Sequence, residues 1–190
     1  MTGVQTCALP ISANAMDWLD KPFLALHISG GTTELLYIIG DEIKIIGKTL
    51  DISAGQLIDR VGVRLGLKFP CGKALEELAD GKTDEISLPV SVKGTDINFS
   101  GAEARAMQLS ATPENIAAAV MDCVAATIER VIENAKNEYA TERVLIVGGV
   151  AANKQIRKRI ENNALFASAA LSSDNAVGTA LLGMNKGESL

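Results

Sequence analysis

The stretch FLALHISGGTTELLYIIGDEIKIIGKTL, which starts at Phe23, constrains this chain more than any other. It holds three short runs rich in Leu, Ile and Tyr, broken by Gly-Gly and by Gly-Asp. Apolar runs of strand length separated by such turn residues predict an antiparallel meander of three strands. Downstream the period changes. In DISAGQLIDRVGVRLGL, the residues Leu57, Ile58, Val61 and Leu65 recur at helical spacing. Thr112 followed by Pro113 reads as an N-cap and a first-turn proline. The long helix they open is expected to bury Ile116, Val120, Cys123, Val124, Thr127, Ile128 and Val131 and to end near Asn137. RVLIVGG has the look of a buried strand, VAANKQIRKRIENN continues as a helix, and LFASAAL is a weaker strand. A last helix is expected from SSDNAVGTALLGM, with Val177, Ala180, Leu181 and Met184 on one face. Residues 68–111 carry Pro70, Pro89 and several glycines and read as a loop-rich insertion with short elements at most. A meander followed by alternating helices and strands is an α/β domain with a mixed sheet.

Composition narrows the function. With 190 residues, 47% apolar and 22% charged, the chain suits one globular domain with a real core. A net charge of -5 gives no general field for a nucleic-acid backbone, so any RNA contact must come from a local patch or a partner. His27 is the single histidine, which excludes a self-contained His-rich zinc site. Cys71 and Cys123 show neither metal spacing nor a disulfide framework, as expected of a reducing cytoplasm. No transmembrane run or repeat is visible. The opening MTGVQTCALPI has no charge and no period, and reads codon for codon as the translation of a common short-read sequencing adapter with GTG as start. Residues 1–11 are therefore expected to be an artefact, and the chain from Ser12 the C-terminal part of a longer protein.

Four places could carry chemistry. In ISGGTTE, Gly30 and Gly31 would let a backbone approach an anion while Ser29, Thr32 and Thr33 donate; the alternative is a plain hairpin turn. At about 100° per residue, Gly55, Asp59, Gly62 and Gly66 fall on one helical stripe about 60° wide. Each helical glycine costs about 1 kcal/mol against alanine, so something approaches that face closely. Asp59 would bond a ligand hydroxyl there, or the stripe is tight packing with Asp59 paired to a basic group. Gly148 and Gly149 end a strand before a helix, a common ligand position in α/β sheets, and Asn153 would bond a base or ribose or simply cap the helix. The pattern fits neither a dinucleotide fingerprint nor a P-loop. In SSDN, Asp174 is a carboxylate for a metal or for catalysis, or an N-cap beside Ser173. His27 alternates with Leu26 and Ile28 in a strand and reads as a packed or surface side chain.

In order, ALHISGGTTEL, DISAGQLIDRVGVRLGLKFPCG, NFSG, VLIVGGVAANKQIR and SDNA resemble the C-terminal half of the TsaD/Gcp/Kae family, over residues 23–186. These are tRNA threonylcarbamoyladenosine transferases once described as O-sialoglycoprotein endopeptidases; the chain has no HExxH motif that would support a peptidase. The resemblance implies an actin-like ATPase fold (ribonuclease H-like) of two lobes, with this chain as the second and residues 12–22 as a remnant of the interlobe segment. It implies that Ser29, Gly30, Gly31, Asp59, Gly72, Gly148, Gly149 and Asn153 line a site for ATP or threonylcarbamoyl-adenylate. It further implies Asp174 as one ligand of a divalent metal, iron or zinc, whose histidines lie in the other lobe. The implied partners are tRNA, TsaB/TsaE-like proteins and the other lobe of the same chain, in the cytoplasm, with this fragment inactive by itself.

The departures from that pattern keep other readings open. Thr32 stands where the family has histidine in SGGHT, Cys71 turns PGG into PCG, and FSGAEA puts Glu103 in place of a basic segment. A noncatalytic nucleotide-binding scaffold and a phosphotransferase of the same fold are the alternatives.

Overall fold

A computed structural model describes residue 18 and residues 21–40 and 42–167. Residues 1–17, the expected last helix and Asp174 lie outside them. The meander forms as its turn chemistry dictates: β1 (Phe23–Ile28), β2 (Thr33–Ile39) and β3 (Glu42–Lys48) pair antiparallel in succession. Next come α1 (Ala54–Arg64), α2 (Gly72–Ala79), a short hairpin of β4 (Ser91–Lys93) and β5 (Asp96–Asn98), and α3 (Ser100–Gln108). The long α4 (Pro113–Tyr139) leads to β6 (Val144–Val147), a 3-10 turn (Gly149–Ala152), α5 (Lys154–Ile160) and β7 (Leu165–Phe166). β6 lies beside β1 in parallel and β7 beside β6, so the sheet order is β3-β2-β1-β6-β7 and the sheet is mixed.

β1 is central, and its alternating side chains feed two cores. Leu24, Leu26 and Ile28 join the larger one with Leu57, Val61, Val120 and Val124 of α1 and α4. Phe23 and Ala25 join Leu36, Ile38, Leu145 and Val147 on the opposite face. Burying each Leu or Ile contributes about 1.5–3 kcal/mol, so these two layers hold the sheet in place. α4 begins as its sequence dictates, with the Thr112 hydroxyl accepting from Asn115 N–H and Pro113 in the first turn. Every residue of its expected stripe is buried. It ends at Ala140 in the left-handed region, φ 49°.

The structure differs from the sequence reading in two stretches. Residues 68–111 hold two helices, α2 and α3, of 8 and 9 residues, where only short elements in a loop-rich segment were expected. Both start on carboxylates from elsewhere: Asp59 accepts from Cys71 N–H at 2.8 Å, and Asp51 accepts from Phe99 N–H at 2.9 Å and Ser100 N–H at 3.0 Å. The expected helix from Val150 through Asn163 is broken at Asn153, which is extended (φ -61°, ψ 127°) and caps α5 through its side chain. The break separates a 3-10 turn from the α-helix because an N-cap residue must leave helical geometry to reach the next turn's amides.

Candidate functional site

The SGG turn closes on itself. Ser29 N–H donates to the Thr32 carbonyl at 2.8 Å, and Thr32 N–H returns to Ser29 Oγ at 3.1 Å. The start of α1 is bolted to this turn from both sides. Ser53 Oγ donates to the Gly30 carbonyl at 2.8 Å, while Ala54 N–H donates to the buried Thr33 Oγ1 at 3.1 Å. Gly55 must be glycine for that approach: a Cβ there would lie 2.4 Å from Gly30 Cα and 2.6 Å from the Ser29 carbonyl oxygen. Gly62, two turns on, is faced in the same way by the Cys71 side chain, at 2.4 Å. Gly66 ends the helix at φ 86°, with Leu67 N–H reaching back to the Gly62 carbonyl at 2.9 Å. Gly55 and Gly62 are thus closely packed, whereas Gly66 has nothing within 4 Å of an added Cβ and serves the helix end. Asp59 accepts from the Cys71 backbone amide, and no basic side chain among the described residues pairs with it.

Beyond Gly55 the same face opens into a cavity of about 480 Å³, within the range of small-molecule sites. Gly30, Asp59, Gly72, Gly149 and Asn153, drawn from four separated stretches of sequence, line it together. At Gly30, Gly72 and Gly149 an added Cβ would meet nothing within 4 Å, so the backbone itself forms the wall. Ser29, Gly31 and Gly148 are not among the lining residues. Gly148 sits at φ 105°, where a Cβ would lie 2.2 Å from the Ile28 carbonyl oxygen; it lets β6 leave the sheet beside β1. Asn153 is buried and does two things: its Oδ1 accepts from Ile156 N–H at 2.9 Å and its Nδ2 lies 3.4 Å from Met121 Sδ.

Sequence reasoning passed over the acidic wall. Glu76 on α2 and Asp80, the residue that caps its C-terminal end, lie one turn apart and face the start of α5. Glu76 Oε1 accepts from Lys154 N–H at 2.6 Å, and Asp80 Oδ1 accepts from Gln155 Nε2 at 3.3 Å. The signal was present in GKALEELAD, where Leu75 and Ala79 mark the buried side and the acids at i, i+4 the open one.

A second cavity of about 630 Å³ adjoins the first, and Gly30 and Asp59 line both. Its other walls are Gln56, Arg60, Val63, Phe69, Glu103 and Met107, with Arg60 Nη1 3.3 Å from Glu103 Oε1. Both thiols among the described residues, Cys71 and Cys123, are packed away. Burial pushes Cys123 up to about 11, against a lowering hydrogen bond with Thr127. Burial and then the nearby Asp59 charge also raise Cys71. His27 lies opposite Glu34 across β1 and β2; burial lowers its pKa and the Glu34 charge offsets part of that. Among the described residues no group of three His, Cys, Asp or Glu side chains could hold a metal. No helix among them is long and apolar enough to cross a membrane.

Comparison with known proteins gives the family and the fold. The family model described as TsaD, tRNA N6-adenosine threonylcarbamoyltransferase, matches residues 1–181. A protein of that name from Thermococcus sibiricus is 34% identical over 165 residues, covering 85% of this chain and 51% of its own length. The chain spans about half the length of the curated transferases it matches. Among solved structures, HypF of T. kodakarensis superposes with a TM-score of 0.76 at 17% identity, over 96% of this chain and 36% of its own. The activator of 2-hydroxyisocaproyl-CoA dehydratase from Clostridium difficile, solved with bound ADPNP, gives 0.63 at 17% identity, over 97% and 67%. The fold is that of an actin-like ATPase lobe.

Proposed function

We propose that this chain, which belongs to the TsaD family of tRNA N6-adenosine threonylcarbamoyltransferases, is the nucleotide-holding lobe of such a transferase. The observation that carries the reading is the convergence of Gly30, Asp59, Gly72, Gly149 and Asn153 on one cavity. Bare glycine backbone admits a phosphate or carbamoyl-phosphate closely, and amide N–H groups supply donors to its oxygens. Asp59 spends one oxygen on Cys71 N–H, and a carboxylate retains acceptor capacity for a ribose hydroxyl on the other. Glu76 is placed for the same role. Asn153 presents an amide that can both donate and accept at a ribose or base edge.

In the proposed reaction the acceptor adenosine's exocyclic amine attacks the carbamoyl carbonyl of threonylcarbamoyl-adenylate. A C–N bond forms, the bond to the adenylate phosphate oxygen breaks, AMP departs, and the amine loses a proton. This lobe contributes donor binding and orientation; the rest of the site belongs to a second lobe, as the half-length match to the relatives supports. The iron or zinc ion of the family would draw on Asp174 and on residues of that other lobe. The described residues do not themselves provide a ligand set, and no step is routed through the metal. tRNA, TsaB/TsaE-like partners and a cytoplasmic setting complete the proposal.

A second reading, a binding scaffold without turnover, draws on the replaced residues: Cys71 packs against Gly62 and Glu103 holds Arg60. Calorimetry with a nonhydrolysable threonylcarbamoyl-adenylate analogue tests the site. The chain should bind it, and Asp59→Asn or Asn153→Asp should weaken binding by about 10-fold or more, a loss of about 1.4 kcal/mol. Full binding by both variants would remove the cavity from consideration. Adding a first lobe from a relative then separates the readings, since transfer to tRNA supports the enzyme and binding without transfer supports the scaffold.

A further inference from the structure

Ser53 does more than cap α1. It is buried, and each of its polar groups has a partner. Its N–H donates to Gln56 Oε1 at 3.0 Å, and its carbonyl accepts from Leu57 N–H at 3.1 Å. Its hydroxyl accepts from Gln56 N–H at 3.1 Å and donates to the Gly30 carbonyl at 2.8 Å. Capping requires an acceptor alone, which Asp supplies as well. Accepting from the helix and donating to Gly30 through one atom is what a hydroxyl adds.

The bond lands on a peptide that little else restrains. At Gly30 and Gly31 an added Cβ would meet nothing within 4 Å, so packing does not fix their backbone. The bonds that close the turn run between Ser29 and Thr32 and leave the Gly30–Gly31 peptide out. Glycine tolerates either sign of φ, so a Gly-Gly peptide can turn over. In a trans peptide the carbonyl and the following N–H point in opposite directions. Turning over therefore exchanges a donor for an acceptor on whichever side a ligand approaches.

That exchange matters because the first cavity is acidic. Gly30 lines it together with Asp59, Glu76, Glu77 and Asp80, against Lys73 and Lys154, and Lys73 Nζ lies 3.8 Å from Glu77 Oε1. A carbonyl oxygen turned toward a bound phosphate would add repulsion to that lining, whereas one held away removes an acceptor from the phosphate's surroundings.

We propose that Ser53 is a positioning residue for the phosphates of a nucleotide in the first cavity. By holding the Gly30 carbonyl against the start of α1, it keeps the Gly30–Gly31 peptide in the orientation that admits an anion. The inference rests on the first cavity being the nucleotide site. Ser53 itself is not among the lining residues and acts through Gly30.

The test is calorimetry of the full chain with ATP and, separately, with adenosine, beside a thermal melt of each variant. The ratio of the two affinities isolates the phosphates. Ser53→Ala removes both the cap and the hold on Gly30, whereas Ser53→Gly removes the hold and keeps most of the cap, because glycine is tolerated at an N-cap. Both should lower the ATP-to-adenosine ratio by about 10-fold, the scale of one hydrogen bond at a charged group, although Ser53→Ala should melt below Ser53→Gly. Ser53→Thr keeps the hydroxyl and should restore ratio and melting together. A parent that binds ATP, with the ratio unchanged in Ser53→Ala and Ser53→Gly, overturns the positioning role and leaves the nucleotide site standing. So does a parallel loss of ATP and adenosine affinity that follows melting, since a merely structural role gives that result. A Ser53→Thr variant that melts like the parent with the ratio still low overturns it as well. A parent that binds no ATP removes the nucleotide reading, and the proposal with it.

Discussion

Gly55 and Gly101 make a matched pair, since each is the second residue of its helix, α1 and α3, and neither has a positive φ. Alanine at either position gains helix propensity, up to about 1 kcal/mol. At Gly101 nothing lies within 4 Å of an added Cβ, so Gly101→Ala should show that gain alone. At Gly55 the methyl would meet Gly30 Cα at 2.4 Å, the Ser29 carbonyl oxygen at 2.6 Å and Gly30 C at 2.9 Å. All three are backbone atoms that Ser53 Oγ ties to α1 through the Gly30 carbonyl, so neither side can yield by a rotamer change. Overpacking of this kind costs about 1–3 kcal/mol. Gly55→Ala should therefore be destabilised by up to about 2 kcal/mol net, and should differ from Gly101→Ala by about 1–3 kcal/mol, the common propensity gain cancelling. Urea denaturation of the two variants and the parent measures both quantities. The displaced turn should also weaken ATP binding in Gly55→Ala and leave it unchanged in Gly101→Ala. Equal stabilisation of both variants would falsify the close approach of turn and helix.

Gly72 is open to the cavity, so Gly72→Leu should fill it and lower ATP affinity by at least about 10-fold with little change in melting; unchanged affinity would put the nucleotide elsewhere. Asn153→Ala should lose about 1 kcal/mol through the α5 cap, whereas Asn153→Asp keeps the acceptor and the stability; equal melting of the two in a thermal scan would deny the cap. Desolvation tends to raise the Asp51 pKa, but hydrogen bonds from Ser100, Phe99 and Ile52 outweigh it and the group lies below the usual carboxylate range. Its contribution is thus full above the unfolded pKa and lost as pH falls through the folded one. Asp51→Asn should flatten the acid limb of stability, modestly because the group is exposed; an identical pH profile would contradict that. In a Cys7→Ser background, Cys71 and Cys123, both buried and with raised pKa values, should label with iodoacetamide at pH 8 only as the protein unfolds; prompt labelling in the native state would show a more open core.

Local chemistry made much of the fold legible. The Gly-Gly and Gly-Asp breaks in an apolar text define a meander because turn and strand preferences act over a few residues. Thr112-Pro113 opens α4 for the same reason, as its cap bond spans three residues. The glycine stripe of α1 declared that something comes close, but not what. That the SGG turn meets Gly55 and Cys71 meets Gly62 depends on chain segments that periodicity treats independently. The same holds for the helices inside residues 68–111, whose starts are capped by Asp59 and Asp51 from distant positions, and for the break at Asn153, where a cap competes with helix continuation. The sequence by itself determined the meander, the long α4 with its cap, the family motifs and the crowding of the α1 face at Gly55 and Gly62. Only the tertiary structure decided that Gly30, Asp59, Gly72 and Asn153 share one cavity, that Glu76 joins them, and that Phe69 stands uncovered next door. The physical reason is that hydrogen bonds and periodicity within an element are local, whereas a site is made where packing of the sheet against α1, α2 and α4 brings remote backbone together.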